Sequence, residues 1–187
     1  MHIGTTVVAA TAFVVAAGAP LAPPSPVPSG SGSGRPPEGV AAGSGVVVNE
    51  FVPGGYVELR NTTPSTVDIG GYVLWLCGPD DVRSEVRVSL GMAIAPGEFY
   101  LVASSSFTGA AADQIYRGTL PGGGAVLLDP DHAWADGTAV VAGSPCGEGP
   151  PAPTCPDAAT ARDAAGTDTG SNVADFSCRY RSPGAPN

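Results

Sequence analysis

The stretch VVVNEFVPGGYVELRN, residues 46–61, reads as a β-hairpin: two apolar runs flank Pro53-Gly54-Gly55. With those three residues as the loop, Val52 faces Tyr56 and Glu50 faces Glu58. Side chains on a strand alternate between faces, so Phe51, Val57 and Leu59 make the core side. Glu50, Glu58 and Arg60 then share the other face. Like charges directly opposite one another cost about a few tenths of a kcal/mol. Arg60 would have to offset that cost, or a β-bulge would have to shift the register. Only 13% of the chain is charged. Two acids in one hairpin therefore pose a question: acid/base couple, metal site or scaffold.

Working outward, Asp68 to Gly71 gives a turn, and Tyr72 to Cys77 is apolar on both faces. That suits a strand covered on both sides, with Trp75 as a core candidate. In EVRVSL, residues 85–90, Val86, Val88 and Leu90 alternate and are expected to point inward. Further strands are expected in APGEFYLVA from Ala95, DQIYRG from Asp113, GAVLLD from Gly124 and TAVVAG from Thr138. About seven short strands with turn signals between them predict an all-β antiparallel sandwich. No stretch shows a 3.6-residue amphipathic period, and no internal repeat is visible.

Composition narrows the chemistry. The 27 glycines and 20 prolines oppose long helices. There is no lysine; all eight basic residues are arginines, set against 17 acids. Schiff-base chemistry, a phosphate-loop lysine and a lysine general base are thereby excluded. The net charge of -9 opposes binding to nucleic acid, which rests on neutralising phosphates. Arg162, Arg179 and Arg181, close in sequence, leave a local basic patch open.

Residues 1–22 contain an apolar run, Val7 to Ala19, too short to span a bilayer comfortably. It is expected to act as a signal peptide or short membrane-targeting segment, although its leading residues lack Lys and Arg. Residues 23–44, rich in Pro, Ser and Gly, read as a disordered linker, and the folded domain is expected over residues 45–187. Four cysteines in an exported chain read as two disulfides. Zinc is disfavoured because no pair has C-x2-C spacing. Of the three possible pairings, Cys146 with Cys155 and Cys77 with Cys178 is the expected one.

In order and spacing, VVVNEF, GYVELRN, VDIGGYVL, APGEFYLV, the strands around AVLLD and AVVAG, then RDAAGTDTGSNVADF and the ending SPGAPN resemble the lamin tail domain. This is the immunoglobulin-like module found at the end of nuclear lamins and in bacterial exported proteins. The resemblance covers residues 45–187 and implies an immunoglobulin-like sandwich with Greek-key-type connections and no catalysis of its own. Departures are Tyr72, where the family's Gly-Trp step has tryptophan, and the four cysteines. Without a coiled-coil rod, the filament role of nuclear lamins does not carry over. The function implied is an exported binding or structural module at or beyond the cell surface, with a protein or cell-envelope partner. The alternative is an accessory subunit of an exported nuclease or phosphatase.

Candidate sites are weighed against that background. Asn49, Glu50, Glu58 and Asn61 fall in the segments carrying the likeness and are expected to be scaffold, binding backbone amides, Arg60 or one another. A glycosidase-like pair needs its carboxylates about 5 to 10 Å apart in a cleft, and cross-strand neighbours are nearer. Asp129, Asp131, His132 and Asp136 could gather round a metal, but Ala133 and Trp134 occupy the positions where an EF-hand needs oxygen and glycine. His132 is the one histidine after the targeting segment, and no G-x-S-x-G elbow accompanies it. Asp163, Asp168, Asn172 and Asp175 could attract calcium. Their spacing matches no calcium loop, however, and they are expected to hold turns. No cofactor and no metal is therefore expected, and calcium is expected not to shift the melting temperature beyond a generic salt effect.

Overall fold

A computed structural model describes residues 45–187. The expected targeting segment, 1–22, and linker, 23–44, lie outside the described residues. Strands β1 (Val46–Val52) and β2 (Tyr56–Asn61) form the hairpin. Its register is Val52 to Tyr56, Phe51 to Val57 and Glu50 to Glu58. Gly55 N–H closes the turn on the Val52 carbonyl at 2.9 Å, and Gly54 takes φ 76°, a conformation that favours glycine. A register shift between Val48 and Glu50 makes Asn49 an extra residue. The bulge reverses the alternation, so Val46, Val48 and Phe51 all enter the core while Glu50 turns outward.

The remaining strands are β3 (Val67–Asp68), β4 (Val73–Cys77), β5 (Val82–Arg87), β6 (Ala93–Ile94), β7 (Phe99–Ser104) and β8 (Gln114–Tyr116). After them come β9 (Gly124–Leu128), β10 (Trp134–Ala139), β11 (Ala159–Ala161), the single-turn α1 (Asn172–Asp175) and β12 (Ser177–Arg179). One sheet runs β12-β11-β1-β2-β7-β8, a second β10-β9-β4-β5, and β3 pairs with β6. The pairings are antiparallel except β7 with β8, which is parallel and departs locally from the expected antiparallel pattern.

One core serves both large sheets: Val48, Phe51 and Leu59 from the first meet Leu74, Leu76 and Leu127 from the second. Each such side chain contributes about 1.5–3 kcal/mol on burial. The far faces are also covered. Val52, Tyr56, Leu101, Ala103, Ala159 and Ala161 cluster behind the six-stranded sheet. Val73, Cys77, Val126, Leu128 and Cys146 do so behind the other, which explains why Tyr72 to Cys77 is apolar throughout.

Three expectations about side-chain placement and strand limits are corrected. Leu90 is 86% exposed, because β5 ends at Arg87 and the alternation stops with it. Trp75 packs half-buried on the outer cluster rather than in the core. The strand expected from Thr138 begins at Trp134, because pairing with β9 extends across WAD through a register shift.

The disulfides join Cys77 to Cys146 and Cys155 to Cys178, with Cα atoms 6.0 and 5.5 Å apart, not the expected pairs. Cys77 and Cys146 lie together behind the four-stranded sheet. Cys178 is on β12, at the edge of the other sheet. Residues 147–154 do not close on themselves but run between the sheets. Ala152 N–H donates to the Ala139 carbonyl, and Thr160 Oγ1 donates to the Pro153 carbonyl. A disulfide reaches only where the Cα atoms come within about 7 Å, so this path decides the pairing.

Candidate functional site

Both hairpin glutamates are fully buried, on the outer face of the sheet. They are enclosed by the segment 182–187. Ser182 N–H donates to Glu50 Oε1 at 3.2 Å, and Gly184 N–H donates to Glu58 Oε2. Tyr56 Oη donates to Glu50 Oε1 at 2.7 Å, and Asn49 Nδ2 to Glu58 Oε1 at 2.8 Å. Asn187 completes the clasp by donating to the carbonyls of Asn49 and Arg162. Arg60 turns away, donating to the Ala164 carbonyl and lying over the Phe99 ring. Asn61 works elsewhere: it donates to the carbonyls of Ser65 and Ile94 and accepts from Thr63 N–H.

Burial pushes the Glu58 carboxyl up to about 7, against the amide of Gly184 and Asn49; Glu50 adds to the rise and Arg60 opposes it. Burial also raises Glu50, opposed by Tyr56, Ser182 and Arg181. A carboxyl raised on folding carries a proton between its unfolded and folded values that the unfolded chain has released. Its stabilising effect is complete below about 4.5 and is lost as pH rises through about 7. We therefore expect unfolding free energy, measured by denaturant titration, to fall between pH 5 and pH 8. Glu58 alone accounts for on the order of 3 kcal/mol. Glu58→Gln should flatten the profile while costing roughly 1 kcal/mol at pH 5, since its amide group presents a donor where a donor already points. A Gln variant with the wild-type slope would show that Glu58 is not the source.

The second buried cluster centres on Arg162, whose side chain is wholly inside. The arginine patch suggested by Arg162, Arg179 and Arg181 is thereby broken. Arg162 Nε donates to the Val48 carbonyl at 2.9 Å, Nη1 to the Thr167 carbonyl at 2.6 Å and Nη2 to Asp136 Oδ1 at 2.7 Å. Its Nη1 also lies 3.4 Å from Asp168 and 3.2 Å from Asp175, and the guanidinium stacks 4.5 Å over Phe176. Burial would lower its pKa, but Asp136, Asp168 and Asp175 outweigh that and raise it. Asp136 also accepts the amides of Val48 and Gly137, which ties β10 to β1.

The acids of 163–175 separate. Asp163 accepts the amides of Ala165 and Thr167 and the Thr167 hydroxyl, making a surface turn. Asp175 accepts from Thr169 and Ser171. Asn172 accepts the amides of Ala139 and Glu148 and donates to the Gly137 carbonyl. Asp168 and Asp175 reach the Arg162 cluster, while Asp163 does not. The DPDHAWADG group is divided as well: Asp129 accepts the amides of Asp131 and Ala133, exposed His132 takes φ 63°, and Asp136 goes inside.

Sequence reasoning missed Glu148. It sits in a proline-rich loop that gives no periodicity to place it, and the structure brings it beside Asp136 and Asp168. Carboxylate oxygens of the three lie within 4.8 Å of one another. Trp134 Nε1 donates to Glu148 Oε1 at 2.9 Å, while the buried Oε2 has no hydrogen-bond partner.

A separate groove of about 510 Å³ on the surface is lined by Cys155 to Ala158 and Cys178 to Tyr180, with Tyr180 95% exposed. Among the described residues, no helix is long and apolar enough to cross a membrane. Comparison with protein-family models gives no match to this chain, and comparison with curated proteins gives none either.

Proposed function

We propose that residues 45–187 form a lamin-tail-like module, an immunoglobulin-like sandwich with Greek-key-type connections. It is secreted or held at the cell surface, where it binds or displays rather than catalyses. The observation that carries this reading is the enclosure of Glu50 and Glu58, the acids of the segments that resemble the family. Both are 0% exposed, and both accept backbone amides from a segment more than a hundred residues away. A general acid or base must reach its substrate's proton at hydrogen-bond distance, and these oxygens face the protein's own amides. Two disulfides fit an oxidising compartment.

Fractionation of a bacterium expressing the full chain, with thiol titration, tests the export half. The expected result is protein outside the cytoplasm with no free thiol; full-length protein inside, with four free thiols, would overturn it. A cell-wall binding assay and a pull-down test the rest. Wall retention supports binding or display. Specific capture of a nuclease or phosphatase would replace it with the accessory-subunit reading.

A further inference from the structure

We propose that Asp136, Glu148 and Asp168 form a binding site for a hard divalent cation, calcium before others. One carboxylate oxygen from each residue lies within 4.8 Å of the other two, the spacing of ligands around one ion. A cluster of acids alone would not suffice. The additional observation is Glu148, which is 9% exposed and has a buried Oε2 without any hydrogen-bond donor. A buried carboxylate oxygen without a partner is costly, and a cation supplies one.

Charge points the same way. Asp136, Glu148, Asp168 and Asp175 gather round a single guanidinium, and Arg162 directs its donors to Asp136, Asp168, Asp175 and two carbonyls. Glu148 Oε2 gains no donor from it. The donor set is oxygen only, which selects calcium, magnesium or manganese over softer ions. Magnesium sheds water reluctantly and demands a rigid octahedron. A largely enclosed site at irregular carboxylates favours calcium. Two of the three ligands, Asp136 and Glu148, come from outside 163–175, and a calcium site here stands against the expectation of no calcium effect, which rests on the acids of that segment.

The test uses the full chain stripped with chelator. Thermal melts in 10 mM calcium chloride, in magnesium chloride and in sodium chloride of equal ionic strength are compared with chelator alone. Calcium should raise the melting temperature by several degrees, as expected for an ion that binds only the folded state, and magnesium by much less. Terbium supplies a second readout: the Trp134 indole, 2.9 Å from Glu148 Oε1, should sensitise its emission, and calcium should displace it. Glu148→Gln should lose both responses. If that variant fails to fold, Trp134→Phe keeps the test, retaining the calcium shift but losing the terbium signal. No calcium shift and no sensitised terbium in the wild type would mean that the acids share a proton instead, and would overturn the proposal. So would a calcium shift that persists in Glu148→Gln, or wild-type terbium emission in Trp134→Phe.

Discussion

Arg162→Ala is expected to be the most damaging single substitution in the domain. Arg162 is the buried partner of three carboxylates and the donor to the carbonyls of Val48 and Thr167. Removing one side of a buried ion pair leaves uncompensated charge and typically costs about 3–5 kcal/mol. Here several acids lose the same partner, so the upper end applies, against a typical total stability of about 5–15 kcal/mol. Arg162→Lys should also be poor, because one ammonium cannot serve Asp136 and both carbonyls in the fork geometry that guanidinium provides. Denaturant titration of the purified variants measures the effect. The Ala variant should recover part of its loss at pH 5, where Asp136, whose carboxyl burial raises to about 6, is protonated more readily. An Ala variant as stable as wild type at pH 8 would show that the cluster does not depend on this charge.

Removal of the Cys77–Cys146 bridge is expected to have the next largest effect. The bridge spans 69 residues of sequence, and loop-closure entropy assigns such a cross-link about 4 kcal/mol. The Cys155–Cys178 bridge spans 23 and is worth about 3 kcal/mol on the same reckoning. Double Cys→Ala variants, one bridge at a time, should therefore rank in that order in denaturant midpoint. Cys77 and Cys146 are also the more deeply buried pair, at 0% exposure each, so their loss opens space behind the four-stranded sheet as well. Equal midpoints, or the reverse order, would show that local packing outweighs the entropy of the longer loop.

The hairpin was legible in the sequence because its information is local. Turn residues at 53–55 set the register, and alternation placed Phe51, Val57 and Leu59 inside. The bulge at Asn49 was legible only as a need, since two facing glutamates ask for some relief. The relief came from Ser182 and Gly184, which no local pattern connects to the hairpin. The same limit explains Arg162, which sequence proximity grouped with Arg179 and Arg181 but the fold places inside, and Glu148, isolated in a loop. The disulfide pairing failed for a related reason: nearness along the chain suggested Cys146 with Cys155, while the intervening residues cross between sheets. Long-range polar contacts leave no period behind them.

The clasp of residues 182–187 sets an order of events during synthesis. A ribosome delivers the β1–β2 hairpin long before Ser182 and Gly184, whose contacts with Glu50 and Glu58 span 132 and 126 residues. Until then the two glutamates must stay hydrated, so the outer face of the hairpin cannot dry. β1 also waits for β11, and the Val48 carbonyl waits for Arg162, 114 residues downstream. Contacts of such separation slow folding and leave partial chains open. The domain is thus expected to close only when nearly all of it has been made, its first hairpin waiting for its last residues.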